Sequence, residues 1–114
     1  MKCTIVVNAY IKNKSQLSQA QRIAEELRIL GADCEIIKNF NIAKIVEGKI
    51  FTKDIDVCVY LDKDKAAARL LEKNGVKLYN CAEAIENCDD KMLTHIVLSN
   101  QGISMPDSVY APLC

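Results

Sequence analysis

The sequence predicts an α/β fold: a small three-layer α/β/α domain whose sheet has four mainly parallel strands. Short β-branched runs that are apolar on both faces alternate with segments whose apolar residues recur every three or four positions. Such strands are typical of a parallel sheet that is covered on both sides. The segments between them fit crossover helices, which supply the two outer layers. A chain of 114 residues has room for one such core.

The first unit of the predicted fold is a strand, a helix and a second strand. Along the helix, a stripe of apolar residues indicates one buried face. Ser15 is the expected N-cap, and Gly31 suits the left-handed position beyond the C-terminus. The three elements are expected at residues 3–8, 15–30 and 33–38.

The second unit follows a less regular segment, residues 39–53, which fits a small hairpin or an irregular excursion. Either Asp62 or Asp64 can cap the next helix, and Asn80 and Glu83 have the spacing of a capping box. The elements expected here are a strand at 56–61, a helix at 65–74, a strand at 76–79 and a short helix at 80–87.

The composition excludes several classes of protein. Fifteen basic residues balance fifteen acidic ones, without the clustered basic excess of a nucleic-acid-binding domain. No segment approaches the roughly 18 apolar residues of a membrane span, and the apolar run near the N-terminus is too short for a signal peptide. We therefore expect a cytoplasmic protein that binds neither nucleic acid nor membrane.

The cysteines are expected to be reduced thiols in the core, because they are far apart and mostly have apolar neighbours. A disulfide or metal site at Cys81 and Cys88 is the alternative, but it lacks a histidine or carboxylate beside it. We therefore predict no metal ligand in this sequence. The six cysteines are Cys3, Cys34, Cys58, Cys81, Cys88 and Cys114.

Candidate binding residues follow the predicted strands, because ligands of open α/β sheets bind beyond the carboxyl ends of the strands. Asn8 and Tyr10 follow the first strand and Asp62 follows the third, and these three are our candidate substrate-binding residues. The loop after the first strand reads NAYIKNKS and lacks the glycines of a dinucleotide-binding or P-loop motif. Nucleotide binding by those two routes is not expected.

Asp62 at a strand end also permits a second interpretation, a stand-alone regulatory or binding module of the receiver type. A receiver domain holds magnesium with an acidic pair after its first strand, where this sequence has Asn8 and Ala9. We therefore expect Asp62 to cap a helix or bridge loops, with a ligand role as the alternative. A third interpretation is a structural domain whose role is oligomerisation.

The last predicted helix extends from Asp90 to Asn100 and has an apolar stripe that includes Met92 and Ile96. We expect this helix to pack on the sheet with those two side chains inward. His95, the single histidine, is expected to be a packing or capping residue, since no cysteine or carboxylate cluster lies near it in the sequence.

Two stretches resemble the part of ATP-grasp ligases that leads into the ATP-grasp domain. Ala84-Ile85-x-x-Cys88-Asp-Asp-Lys91-x-x-Thr94 and then Gly102-Ile103-x-Met105-Pro106 carry the pattern. The preceding phrase, residues 60–80, is similar to the strand-helix-strand before the same segment in the branch that adds glutamate or related amines to a carboxylate.

The resemblance implies a Rossmann-like pre-ATP-grasp domain at residues 1–88, with residues 89–114 forming the leading helix and the start of an ATP-grasp domain whose remainder is absent. It implies ATP and magnesium as cofactors of the full-length enzyme, and none for this fragment. The partners would be the missing C-terminal ATP-grasp domain, a small-molecule or peptide carboxylate, an amino acid and, for an isolated fragment, a second copy of the chain. Lys91 would contact the nucleotide phosphates. No catalytic residue is expected here, so the fragment would be inactive.

Overall fold

A parallel sheet of four strands forms the centre of the protein, with residues 33–38, 2–7, 57–60 and 77–79 side by side in that order. This confirms the predicted α/β fold. The computed structural model describes residues 1–40 and 42–112. None of the four helices in the described ranges is long and apolar enough to cross a membrane. The strands are β1 (Lys2–Val7), β2 (Asp33–Lys38), β3 (Ala43–Val46), β4 (Lys49–Thr52), β5 (Val57–Tyr60) and β6 (Lys77–Tyr79). The helices are α1 (Lys14–Ile29), α2 (Lys65–Lys73), α3 (Ala82–Asp89) and α4 (Lys91–Leu98).

Each face of the sheet has its own hydrophobic core, which is why β1 is apolar on both sides. Ile5 and Val7 point toward α1, where they pack near the buried Ala20. Val6 points to the opposite face, where α2 and α3 contribute buried side chains such as Leu71. Parallel strands are normally covered in this way, and the three layers follow from it.

A β-hairpin replaces the crossover helix between β2 and β5. Its strands β3 and β4 pair antiparallel around Glu47 and Gly48, whose φ angles of 51° and 76° fit a two-residue hairpin turn. Ile42 and Ile55 flank the hairpin and are buried in the core beside α2. Of the two predictions for residues 39–53, the hairpin is the one confirmed; Asn41 lies outside the described residues.

The caps of α1 and α2 agree only in part with the predicted ones. Asn13, and not Ser15, is the N-cap of α1: the helix begins at Lys14, and the Asn13 side chain accepts a hydrogen bond of 2.9 Å from the Ser15 N–H. Gly31 follows α1 with a φ of 90°, as predicted. For α2 the cap is Asp64, whose Oδ1 accepts from the Ala67 N–H at 3.0 Å.

The predicted capping box at Asn80 is wrong. Helix α3 begins at Ala82 with Cys81 as the N-cap residue, and the Cys81 side chain makes no capping hydrogen bond. Instead, Glu72 of α2 accepts a hydrogen bond of 2.9 Å from the Ala82 N–H. A carboxylate from the neighbouring helix therefore satisfies one of the free N–H groups at the start of α3.

Helix α4 packs against α3 and has no fully buried residue, so the prediction that Met92 and Ile96 point into the sheet is wrong. Ile96 is 56% exposed. The reason is that α3 already covers that part of the sheet with Ala82 and Ile85. His95 instead contacts the segment after α4, through a 2.8 Å hydrogen bond between its Nδ1 and the Ser108 hydroxyl.

The cysteines divide into a buried and an exposed group, so the core prediction is confirmed for three of them and wrong for two. Burial raises the pKa of Cys3 to about 11 and that of Cys58 to about 12. Cys34 is buried next to Cys3, while Cys81 and Cys88 are exposed at the two ends of α3. Cys114 lies outside the described residues.

Candidate functional site

The carboxyl ends of three neighbouring strands meet at one edge of the sheet. The chain runs from β1 to β2 on one side and later returns to β5 on the other side of β1. Such a reversal of direction is where ligands bind in open α/β sheets. The residues that follow the three strands here are Asn8, Asn39 and, one residue further on, Asp62.

A hydrogen-bond network joins these side chains. Asn8 Nδ2 donates to Asp62 Oδ1 at 3.0 Å, and Asn39 Nδ2 donates to Asp62 Oδ2. Asn39 Oδ1 in turn accepts from the Ala9 N–H at 3.0 Å. Asp62 is 8% exposed and connects the loops after β1, β2 and β5, which confirms its expected loop-bridging role and excludes it as the cap of α2.

Asn39 is the member of this network that sequence reasoning did not select. Its position at the end of a predicted strand indicated a candidate binding residue, but Lys38, Ala9 and several other residues have similar positions. Only the strand order shows that β2 lies beside β1 and brings Asn39 next to Asp62.

Tyr10 lies next to the network without placing its ring in it. Its N–H donates to Asn8 Oδ1 at 2.8 Å, while the side chain is 86% exposed. The structure therefore brings Asn8 and Asp62 together and leaves the phenol in solvent.

A cavity of about 360 Å³ opens beside Asn8 and Asp62. Its size is at the lower end of the range for small-molecule sites. Gln16 and Gln19, three residues apart on α1, line this cavity, and so do Leu61 and Lys63 in the segment after β5.

Lys63 links this edge of the sheet to α3. Its Nζ lies 2.8 Å from Asp89 Oδ1, and this hydrogen-bonded contact raises the pKa of Lys63 and lowers that of Asp89. Both residues also border a second cavity of about 300 Å³, on the α3 side of Asp62.

The negative charge of Asp62 also affects the pKa of Tyr60. Burial is the main cause that raises the pKa of Tyr60, and the carboxylates of Asp62 and Asp64 raise it further. The Tyr60 hydroxyl donates to the backbone carbonyl of Asp64 at 2.7 Å.

Lys91 is exposed in the first turn of α4, just after the N-cap Asp90, whose Oδ1 accepts from two backbone N–H groups. In residues 1–40 and 42–112, no hydrogen bond or ion pair joins Lys91 to Asn8, Tyr10 or Asp62. The structure does not bring this lysine together with the other candidate residues.

The described residues provide neither a cluster of metal ligands nor a glycine-rich phosphate loop after β1. They contain no group of three or more histidine, cysteine or acidic side chains placed to hold a metal ion, whereas magnesium is held mainly by carboxylates and phosphates. The loop after β1 has no glycine for a phosphate cradle.

Comparison with known proteins gives partial matches. No protein-family model matches the chain. "Uncharacterized protein MG012 homolog" of Mycoplasma pneumoniae is 28% identical over 91 residues, which are 80% of this chain and 32% of that protein. "Glutamate--LysW ligase ArgX" of Sulfolobus acidocaldarius is 42% identical over 45 residues, which are 40% of this chain and 16% of the ligase. The chain thus spans a third or less of these relatives.

A solved structure shares the fold. The "RimK domain protein ATP-grasp" from Sphaerobacter thermophilus superposes with a TM-score of 0.67 over 94% of this chain and 40% of that one, at 14% identity. At this identity the likeness shows the fold alone. Together with the match to the glutamate ligase, it confirms the predicted resemblance of this chain to the N-terminal domain of ATP-grasp ligases.

Proposed function

We propose that these residues form the N-terminal domain of an ATP-dependent carboxylate–amine ligase of the glutamate-ligase type. The observation that carries the proposal is the 42% identity to a glutamate ligase over 45 residues. The shared fold supports it.

In this proposal, the reaction takes place only with an ATP-grasp domain present. ATP phosphorylates the carboxylate substrate to an acyl phosphate, and the amine then displaces the phosphate to form an amide. Phosphoryl transfer depends on positioning and on neutralising charge with cations, and residues 1–40 and 42–112 contain no group of three or more histidine, cysteine or acidic side chains placed to hold a metal ion. In this proposal the 114 residues alone are inactive, because the reaction needs the ATP-grasp domain. A cytoplasmic location and a domain boundary between residues 88 and 89 are further predictions.

The candidate residues receive distinct roles. Lys91, next to the N-terminus of α4, contacts the nucleotide phosphates, because a flexible ammonium adds to the positive end of the helix dipole. Asn8, Tyr10 and Asp62 face the substrates at the carboxyl edge of the sheet.

The test begins with the gene beyond codon 114. We expect an open reading frame that continues into an ATP-grasp domain, and a full-length product that releases ADP only when carboxylate and amine are both present. In that product, Lys91→Met should lower ADP release at subsaturating ATP, while Lys73→Met at the exposed end of α2 should leave it unchanged. A stop codon directly after codon 114, or ATP turnover by the 114 residues alone, would contradict the proposal.

The receiver-like alternative stays a prediction, and no observation favours it. Both carboxylate oxygens of Asp62 already accept hydrogen bonds from asparagine side chains. Its test is phosphorylation or magnesium binding that disappears in Asp62→Asn. The oligomerisation hypothesis is tested by the solution mass of the protein.

A further inference from the structure

Asp62 is a buried carboxylate, and it has no cationic partner within residues 1–40 and 42–112. Its two hydrogen-bond donors, Asn8 and Asn39, are neutral carboxamides, and no ion pair among the described residues involves Asp62. A buried charge is costly unless an opposite charge compensates it. The nearest lysine along the chain, Lys63, contacts Asp89 instead.

The carboxylate also keeps hydrogen-bonding capacity. An ionised carboxyl group has about four acceptor positions on its two oxygens, and the two asparagines use one on each oxygen. The two asparagines therefore fix the orientation of the Asp62 carboxylate and leave some of its acceptor positions unused. Asp62 also lines the 360 Å³ cavity, so a ligand bound there would be within reach of this carboxylate.

Apart from Lys63, whose ammonium contacts Asp89, the other polar groups of the cavity match a cation that donates hydrogen bonds. Gln16 and Gln19 each carry a carbonyl oxygen that can accept from a ligand, and both side chains are exposed on the cavity wall. A primary ammonium has three N–H donors and a single positive charge, so one carboxylate and two carboxamides can satisfy it. A magnesium ion needs near-octahedral oxygen ligands, and among the described residues that line the cavity Asp62 is the single carboxylate.

We propose that the cavity bordered by Asn8, Gln16, Gln19 and Asp62 binds a primary ammonium group, with Asp62 as its counter-charge. The idea that this ammonium belongs to the amine substrate of a ligase rests on the proposed function. The idea that the cavity binds an ammonium group does not depend on it. Amino acids, alkylamines and lysine side chains all carry this group, so probes must separate these sources.

The test is an NMR titration of the 114-residue protein at pH 7 and low salt. The probes are L-alanine, butylamine and Nα-acetyl-lysine, which all carry a protonated primary amine at this pH. At least one should shift the side-chain amide signals of Asn8 and Asn39, and its identity assigns the source. Tetramethylammonium, which has charge but no N–H donor, and Mg²⁺ should not reproduce the shifts.

Variants locate the site. Asp62→Asn should weaken binding at least tenfold, which is the order expected for losing a charge-assisted hydrogen bond. The matched control Asp33→Asn, at the opposite end of β2, should bind as the natural protein does. Gln16→Ala changes an exposed side chain, leaves the core intact and should weaken binding several-fold, whereas Gln21→Ala, outside the cavity, should not.

Three results would overturn the inference: no shift with any amine at saturating concentration, equal binding by Asp62→Asn, or equal shifts with tetramethylammonium or Mg²⁺. The ligase proposal fails separately, through the reading frame and ADP release. Amine binding without ligase activity would leave the inference standing, and ligase activity without amine binding here would place the amine elsewhere.

Discussion

Replacing Asn39 by alanine tests whether the network at the carboxyl edge of the sheet holds the fold together. The change removes the donor to Asp62 Oδ2 and the acceptor of the Ala9 N–H. A hydrogen bond to a charged group contributes about 1.5–3 kcal/mol and a neutral one about 0.5–1.5 kcal/mol. We therefore expect the free energy of unfolding to fall by about 2–4.5 kcal/mol, a large share of the roughly 5–15 kcal/mol typical of a domain.

Urea unfolding followed by circular dichroism measures this loss, provided that the transition is two-state. Asn87→Ala is the matched control, because Asn87 lies within α3, its side chain makes no hydrogen bond among the described residues, and alanine favours helix. A loss below about 0.5 kcal/mol for Asn39→Ala, the level of ordinary surface substitutions, would refute the reasoning.

Three further predictions concern α4, Asp89 and the thiols. Asp90→Ala should lower the free energy of unfolding by about 1 kcal/mol, because the N-cap accepts from two N–H groups of α4; unchanged urea midpoints would contradict this. The Asp89 carboxyl should titrate below its ordinary pKa, so that the stability from its pairing with Lys63 is present above the unfolded pKa, about 4, and is lost as pH falls through the folded value. Carbon-13 NMR checks this, and Lys63→Gln should move the pKa upward. A thiol reagent with peptide mapping should label Cys81 and Cys88 in the folded protein and the three buried thiols only after unfolding.

The fold could be predicted because its main signals are local. Continuous apolar runs such as residues 57–60 need cover on two faces, and that requirement alone implies three layers. Glycines with a positive φ, Gly31 and Gly75, mark the ends of α1 and α2 as predicted. For the hairpin, Glu47 and Gly48 carried a turn signal between two short apolar runs.

The errors arose where a partner distant in sequence decides the structure. Glu72 caps α3 from another helix, so the spacing of Asn80 and Glu83 had no bearing on that helix. Ile96 stays half-exposed because α3 had already covered the sheet. Both outcomes depend on tertiary packing, which overrides local propensity.

The candidate site could be predicted in part for the same reason. Asn8 and Asp62 were found because they lie at strand ends, which periodicity reveals. Asn39 has a comparable position, but its importance depends on which strands are neighbours. Strand order is a property of the whole chain, and a pass along the sequence does not provide it.

The central position of β1 has a consequence for how the protein is made. β1 forms hydrogen bonds with β2 and with β5, and the Lys2 N–H also donates to Asp56, 54 residues away. During synthesis β1 exists before either neighbour: its edge toward β2 can pair once Lys38 has been added, but its edge toward β5 stays unpaired until at least Tyr60 has been added. Pairing over such separations folds more slowly than local contacts do. The apolar residues 5–7 are therefore the segment most in need of protection, by a chaperone or by α1, while translation continues.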